Sequence, residues 1–139
     1  MIVDAFIARL GSMDPAFFAS IEGIAELAAL TGPPAMSPAV YVFESESVAA
    51  PNDRMTSVLQ RVEIDVAVVI VVTDVSDPAA GAAARTARAL EDDVMGRLLG
   101  WCPEDATDVV TFVGAKTVKA RGGEIWRELT FATARTIQG

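Results

Sequence analysis

Along residues 60–72, QRVEIDVAVVIVV, every even position is apolar: Val62, Ile64, Val66, Val68, Ile70 and Val72. The odd positions begin charged, at Arg61, Glu63 and Asp65, and turn apolar at Ala67, Val69 and Val71. A period of two over this length predicts a β-strand, and the β-branched content with no Gly or Pro agrees. The even side chains must lie on a core along the whole strand. The odd ones meet water in the first half and need cover in the second, from another layer or from another subunit.

The flanking segments supply that core. Val3, Phe6, Ile7 and Leu10 recur at helical spacing, predicting a helix over 1–10 stopped by Gly11. Asp14-Pro15 looks like an N-cap with proline at the first helical position. From there two readings stay open. Phe17, Ile21, Ile24 and Ala28 would share one face of a helix reaching Leu30, or Gly23 divides the segment into a short strand and a helix over 24–30. Three prolines and Gly32 make 31–38 a loop. A strand is expected over 39–46 (AVYVFESE), then a connection from Ser47 to Ser57 that is longer than a tight hairpin. After the central strand, Asp74 to Gly81 is an acidic loop in which Asp77-Pro78 is fit to start a helix. Ala83, Ala87, Leu90, Val94 and Leu98 then form one apolar stripe, with Arg85, Arg88, Asp92 and Asp93 facing away, up to a stop at Gly100. Strands are expected over 109–113 and 116–120, and Arg121-Gly122-Gly123 reads as a turn into a last strand over 124–133. Consecutive strands after helices predict an α+β fold, a mostly antiparallel β-sheet with a long central strand packed against α-helices.

Composition narrows the function. The chain has 139 residues, enough for one domain with its own core, and 1–139 is read as a single domain. Mean hydropathy is +0.39, yet the longest apolar run, Val66 to Val72, is far short of the roughly 20 residues that span a bilayer. No membrane partner is expected. The apolar surplus points instead to surface covered by partners. MIVDAFIARL lacks a basic start, so no signal peptide is expected, and a single cysteine, Cys102, suits a reducing cytoplasm. A net charge of −8 argues against gripping nucleic acid. The sequence contains no histidine, which excludes Ser-His-Asp, Cys-His and HExxH chemistry.

What remains of candidate chemistry is better explained structurally. Asp74, Asp77, Glu91, Asp92, Asp93, Glu104, Asp105 and Asp108 cluster in sequence without EF-hand spacing and read as solvated loops and a helix face, with Asp93 to Arg97 a favourable helical pair. Cys102 has no histidine to activate it and is expected to be a buried or half-buried structural residue. Gly122-Gly123 beside Lys119 and Arg121 matches no phosphate-binding motif and suffices as a turn. Trp101 and Trp126 are expected to anchor the core. No catalytic, cofactor or metal residues are assigned, and no enzymatic activity is expected.

The ordered set of PAVYV at 38–42, Pro51-Asn52, QRV opening the long strand, Gly81 before the helix, LLGWCP at 98–103, Gly114, Trp126 and Phe131 resembles the tail terminator proteins of long-tailed bacteriophages. The resemblance covers nearly the whole chain, and LLGW-x-P with the Gln60 strand is its most specific part. It implies an α+β subunit of a hexameric ring in the virion, assembled in the host cytoplasm. That ring would cap the head-proximal end of the tail tube, halt tube polymerisation and offer a docking face to the head-completion or connector protein. It implies no catalytic residues. DNA would pass an acidic lumen without specific binding. A head-tail joining protein is the alternative of the same world, and a small-molecule-binding regulatory α+β domain the alternative of another class. On this reading the candidate interface residues are Val69 and Val71, which need cover, and two loops at opposite ends of the long strand. Pro51, Asn52 and Asp53 mark the first loop, Asp74 and Asp77 the second.

Overall fold

A computed structural model of the chain describes residues 1–13, 17–74, 76 and 81–139. The elements run α1 (Ile2–Gly11), β1 (Ser20–Glu22), α2 (Ile24–Ala28), β2 (Ala39–Ala49), β3 (Leu59–Thr73), α3 (Gly81–Leu98), β4 (Thr111–Arg121) and β5 (Glu124–Gln138). The expected α+β class is what the chain adopts. One five-stranded sheet, ordered β1-β2-β3-β5-β4, is antiparallel except where β1 runs parallel to β2. The central strand pairs with β5 residue for residue, from Leu59 opposite Gln138 to Thr73 opposite Glu124.

Alternation along β3 sorts the two faces as its sequence requires. All six even residues join Phe6 and Leu10 of α1 and the Ala83, Ala87, Leu90, Val94, Leu98 stripe of α3 in the main core, with Leu129 and Phe131 of β5 opposite. The odd face carries a second, smaller cluster of Ala39, Tyr41, Val69 and Val71. Its cover comes from this chain: Leu27 of α2, Leu30, Phe43 and Trp126 pack against it.

Of the two readings left open for residues 17–30, the chain adopts the short strand followed by a short helix, because Ser20–Glu22 satisfy their backbone groups on Ala39–Tyr41 and Gly23 starts α2 anew. The Gly23 N–H donates to the Glu26 carboxylate at 3.2 Å, closing that helix start. Other expectations are corrected. The two strands expected over 109–120 are one strand, β4, because β5 offers an uninterrupted partner and β4 absorbs the mismatch in two register slips, between Phe112 and Gly114 and between Thr117 and Lys119. Likewise β5 continues to Gln138, held by the full length of β3. Residues 47–49 belong to β2, so the first connection spans 50–58. The Asp14-Pro15 and Asp77-Pro78 helix starts lie outside the described residues. Gly100, Gly122 and Gly123 all adopt positive φ (78°, 59° and 81°), as a helix stop and a tight turn demand.

The helices are locked at their ends. Trp101, half-buried, meets Phe6 edge-on at 5.5 Å between ring centroids and lies under the Arg9 guanidinium at 4.9 Å. Trp126 sits on the opposite face of the sheet, its indole N–H donating to the buried Glu124 carboxylate, which also faces Lys119 at 3.4 Å.

Candidate functional site

The two candidate loops lie at opposite ends of β3. Fourteen residue steps at roughly 3.3 Å set those ends about 45 Å apart. Residues 50–58 close over the start of β3, where Val58 and Gly139 exchange backbone hydrogen bonds at 2.8 and 3.0 Å. Asn52 organises this loop from inside. Its side-chain amide donates to the carbonyls of Arg54 (3.2 Å) and Ser57 (3.0 Å), and its carbonyl accepts from the Leu59 N–H (3.1 Å). The Gln60 amide adds a bond to the Ala50 carbonyl at 2.9 Å. A short polar side chain satisfying three backbone groups holds a turn-rich loop in one shape. Pro51 and Asp53 stand exposed on it, and Met55, 99% exposed, projects from its tip.

At the far end the Asp74 N–H donates to the Gly123 carbonyl at 2.8 Å, tying the end of β3 to the β4–β5 turn. The Asp74 carboxylate accepts from the Ser76 hydroxyl and N–H, which holds its pKa below the usual carboxylate value. Asp77 lies outside the described residues. The structure thus separates the candidate positions into two groups. Pro51, Asn52 and Asp53 share one end and Asp74 lies at the other.

Val69 and Val71 belong to neither group. Both are buried within their own chain, in a cluster against which Leu27 and Leu30 pack. The period-two pattern correctly required cover there. It could not say that five residues of helix, α2, would supply it.

Several charged residues form struts between elements. Buried Glu91 faces Arg127 of β5 at 3.4 Å and Arg88 at 3.7 Å, fastening α3 to the sheet. Arg61 grips Asp108 with both ends of its guanidinium, one bond at 3.1 Å, and this holds the Asp108 carboxyl below its ordinary pKa. The expected Asp93–Arg97 pair is absent from the described ion pairs. Arg97 turns instead to α1, donating to the Arg9 carbonyl at 3.2 Å and the Ser12 hydroxyl at 2.6 Å. Cys102 is exposed, not the buried or half-buried residue expected, because Pro103 takes the inward position after Trp101. Among the described residues, no group of three or more His, Cys, Asp or Glu could hold a metal ion. Nor, among the described residues, is any helix long and apolar enough to cross a membrane.

What sequence reasoning missed is the sheet's outer edges. Among the described residues, only Ser20–Glu22 pair with the edge of β2, reaching Tyr41, and β4 is paired with β5 alone. Both free edges expose valines: Val48 at 56%, Val113 at 60% and Val118 at 55%. Edges can be found in a sequence only once strand order is known.

Against known proteins, the family model described as phage tail terminator protein matches residues 2–139. No curated protein matches the chain. Among solved structures, the chain is similar to one in the virion of the native gene transfer agent (GTA) particle. The two are 19% identical over 96% of this chain and 84% of that chain, with a TM-score of 0.44.

Proposed function

We propose a capping role for this chain, which belongs to the phage tail terminator protein family. It is a structural protein of the phage tail, and the observation that carries the finer reading is the family match over essentially its whole length. In this role copies of the chain, six in all, form a ring on the head-proximal end of the tail tube. One face of the ring matches the tube protein and stops its polymerisation. The other receives the head-completion or connector protein.

The geometry supports such a two-faced part. A cap must meet unlike partners above and below, and the 50–58 loop and the Asp74 end, about 45 Å apart along β3, offer two unlike surfaces on one rigid sheet. The first is an Asn52-braced loop with an exposed methionine at its tip, the second an acidic strand end tied to a glycine turn. Net charge of −8 suits a ring through which DNA passes without adhering.

The test is to shorten the 50–58 loop while keeping β2 and β3, and to image tails produced in a host with no wild-type copy. Over-long tubes without heads support the capping role of this loop. Normal-length tails joined to heads overturn it. Normal-length tails that fail only to join heads would instead move the chain to a head-tail joining role.

A further inference from the structure

The two free edges of the sheet carry opposite charge. Along β4, Lys116, Lys119 and Arg121 are exposed and the strand contains no acidic residue. Along the uncovered part of β2, Glu44 and Glu46 are exposed and residues 42–49 contain no basic one. Lys116 and Lys119 have acidic neighbours within the chain, Glu128 at 3.5 Å and Glu124 at 3.4 Å. Arg121, Glu44 and Glu46 have no ion pair among the described residues. Beside these charges stand the exposed valines, Val113 and Val118 on the basic edge and Val48 on the acidic one.

An uncovered strand edge presents unpaired backbone N–H and C=O groups, so it either needs protection or is a site of association. Here the charges select among the possible partners. Two β4 edges would bring lysine to lysine, and two β2 edges glutamate to glutamate; both are repulsive. Only β4 of one copy against β2 of another joins opposite charges while covering the valines. The register slips at Phe112/Gly114, Thr117/Lys119 and Glu44/Glu46 limit any regular backbone pairing to short stretches. In such a contact side chains would carry much of the interaction.

We propose that the occupant of each edge is a second copy of this chain, the basic β4 edge of one subunit seating on the acidic β2 edge of the next. Because the two edges lie on opposite sides of one sheet, the contact is head-to-tail and repeats around a ring if the rotation closes. This deepens the ring reading above, rests on it, and names the surfaces that would build it.

The test uses the full chain in tails assembled in cells with no wild-type copy. With Cys102→Ser as background, Ser47→Cys and Thr117→Cys are introduced singly and together, and purified tails are treated with a short bis-maleimide. The expected result is a ladder of cross-linked multimers from the double variant and none from either single one. A dimer from Ser47→Cys alone or Thr117→Cys alone shows like edges meeting and overturns the proposal. So do normal tails that yield no ladder, which leaves the ring reading intact. A single copy of the chain per tail, by quantitative mass spectrometry, overturns the ring reading itself.

Charge reversal gives an independent readout. Glu44→Lys with Glu46→Lys should leave the melting temperature unchanged and reduce correctly terminated tails by about tenfold or more, since like charges set across a contact repel. Adding Lys116→Glu and Arg121→Glu to the same chain should restore them. Unchanged termination by the first pair of substitutions, in a protein that folds normally, counts against the edge contact.

Discussion

Arg9 and Arg97 each donate to the other's backbone carbonyl oxygen, Arg9 Nε at 2.9 Å and Arg97 Nε at 3.2 Å. Two like charges are thereby set side by side, near the ends of α1 and α3. Each guanidinium lies where the carbonyls of a helix C-terminus leave partial negative charge, which offsets the repulsion between them. Burial, and then the neighbouring Arg97 charge, lower the Arg9 pKa, and Arg9 remains charged at any physiological pH.

Arg97→Ala should therefore loosen the α1–α3 junction at a cost of about 1–2 kcal/mol, the range for a charged hydrogen bond discounted for partial exposure. Arg97→Lys should recover little, because an ammonium lacks the fork that reaches the Arg9 carbonyl and the Ser12 hydroxyl together. Urea titration of the purified chain reads both values. Equal stability of Arg97→Lys and the wild type would show that charge alone matters here.

Val69 separates a core role from an interface role. Its side chain packs with Ala39, Tyr41 and Val71 under α2, so Val69→Asp should unfold or strongly destabilise the chain, by about 3 kcal/mol or more, whether or not a ring is present. Val69→Ala is the milder probe, with an expected loss of about 1–2 kcal/mol and intact tail termination. Failed termination by a stably folded Val69→Ala would reassign the residue to a partner contact.

Asn52→Ala should leave the sheet standing and free the loop before it. Losing three side-chain bonds to backbone groups should cost about 1 kcal/mol, since those groups can turn to water. Amide hydrogen exchange at Leu59 should speed up in the variant while the Val66–Val72 amides stay protected. Should the Leu59 amide exchange no faster, the loop is held by other contacts.

Low pH should release the Arg61–Asp108 clasp. A carboxyl whose folded pKa lies below its unfolded value contributes stability fully present above the unfolded value, near 3.8, and lost as pH falls through the lower folded value. The melting temperature of the wild type should exceed that of Asp108→Asn at neutral pH, with the gap narrowing only below about pH 4. A gap that is constant down to pH 2 would mean the ion pair adds nothing beyond its hydrogen bonds.

The alternation of residues 60–72 determined by itself that a long strand would sit at the centre of an α+β domain with one face in a core throughout. The stripe from Ala83 to Leu98 likewise determined the main helix, and Gly100 and Gly122-Gly123 their stop and turn. These are local periodicities and backbone requirements, which a few neighbouring residues settle. What tertiary structure decided was everything that depends on a distant partner. Residues 17–30 became a strand and a short helix because the β2 edge was there to pair with Ser20–Glu22. Residues 111–121 became one strand because β5 ran unbroken beside them. Val69 and Val71 were covered from within because α2 and Leu30 folded back over Tyr41. The meeting of Arg61 with Asp108, of Arg9 with Arg97 and of Glu91 with Arg127 has no signature in spacing, since each pair lies tens of residues apart in sequence. Strand order, too, alone shows that Glu44 and Arg121 stand on opposite edges of one sheet. A hydrogen-bonded ladder is a contact between remote segments, and its neighbours and edges exist only after the chain has closed on itself.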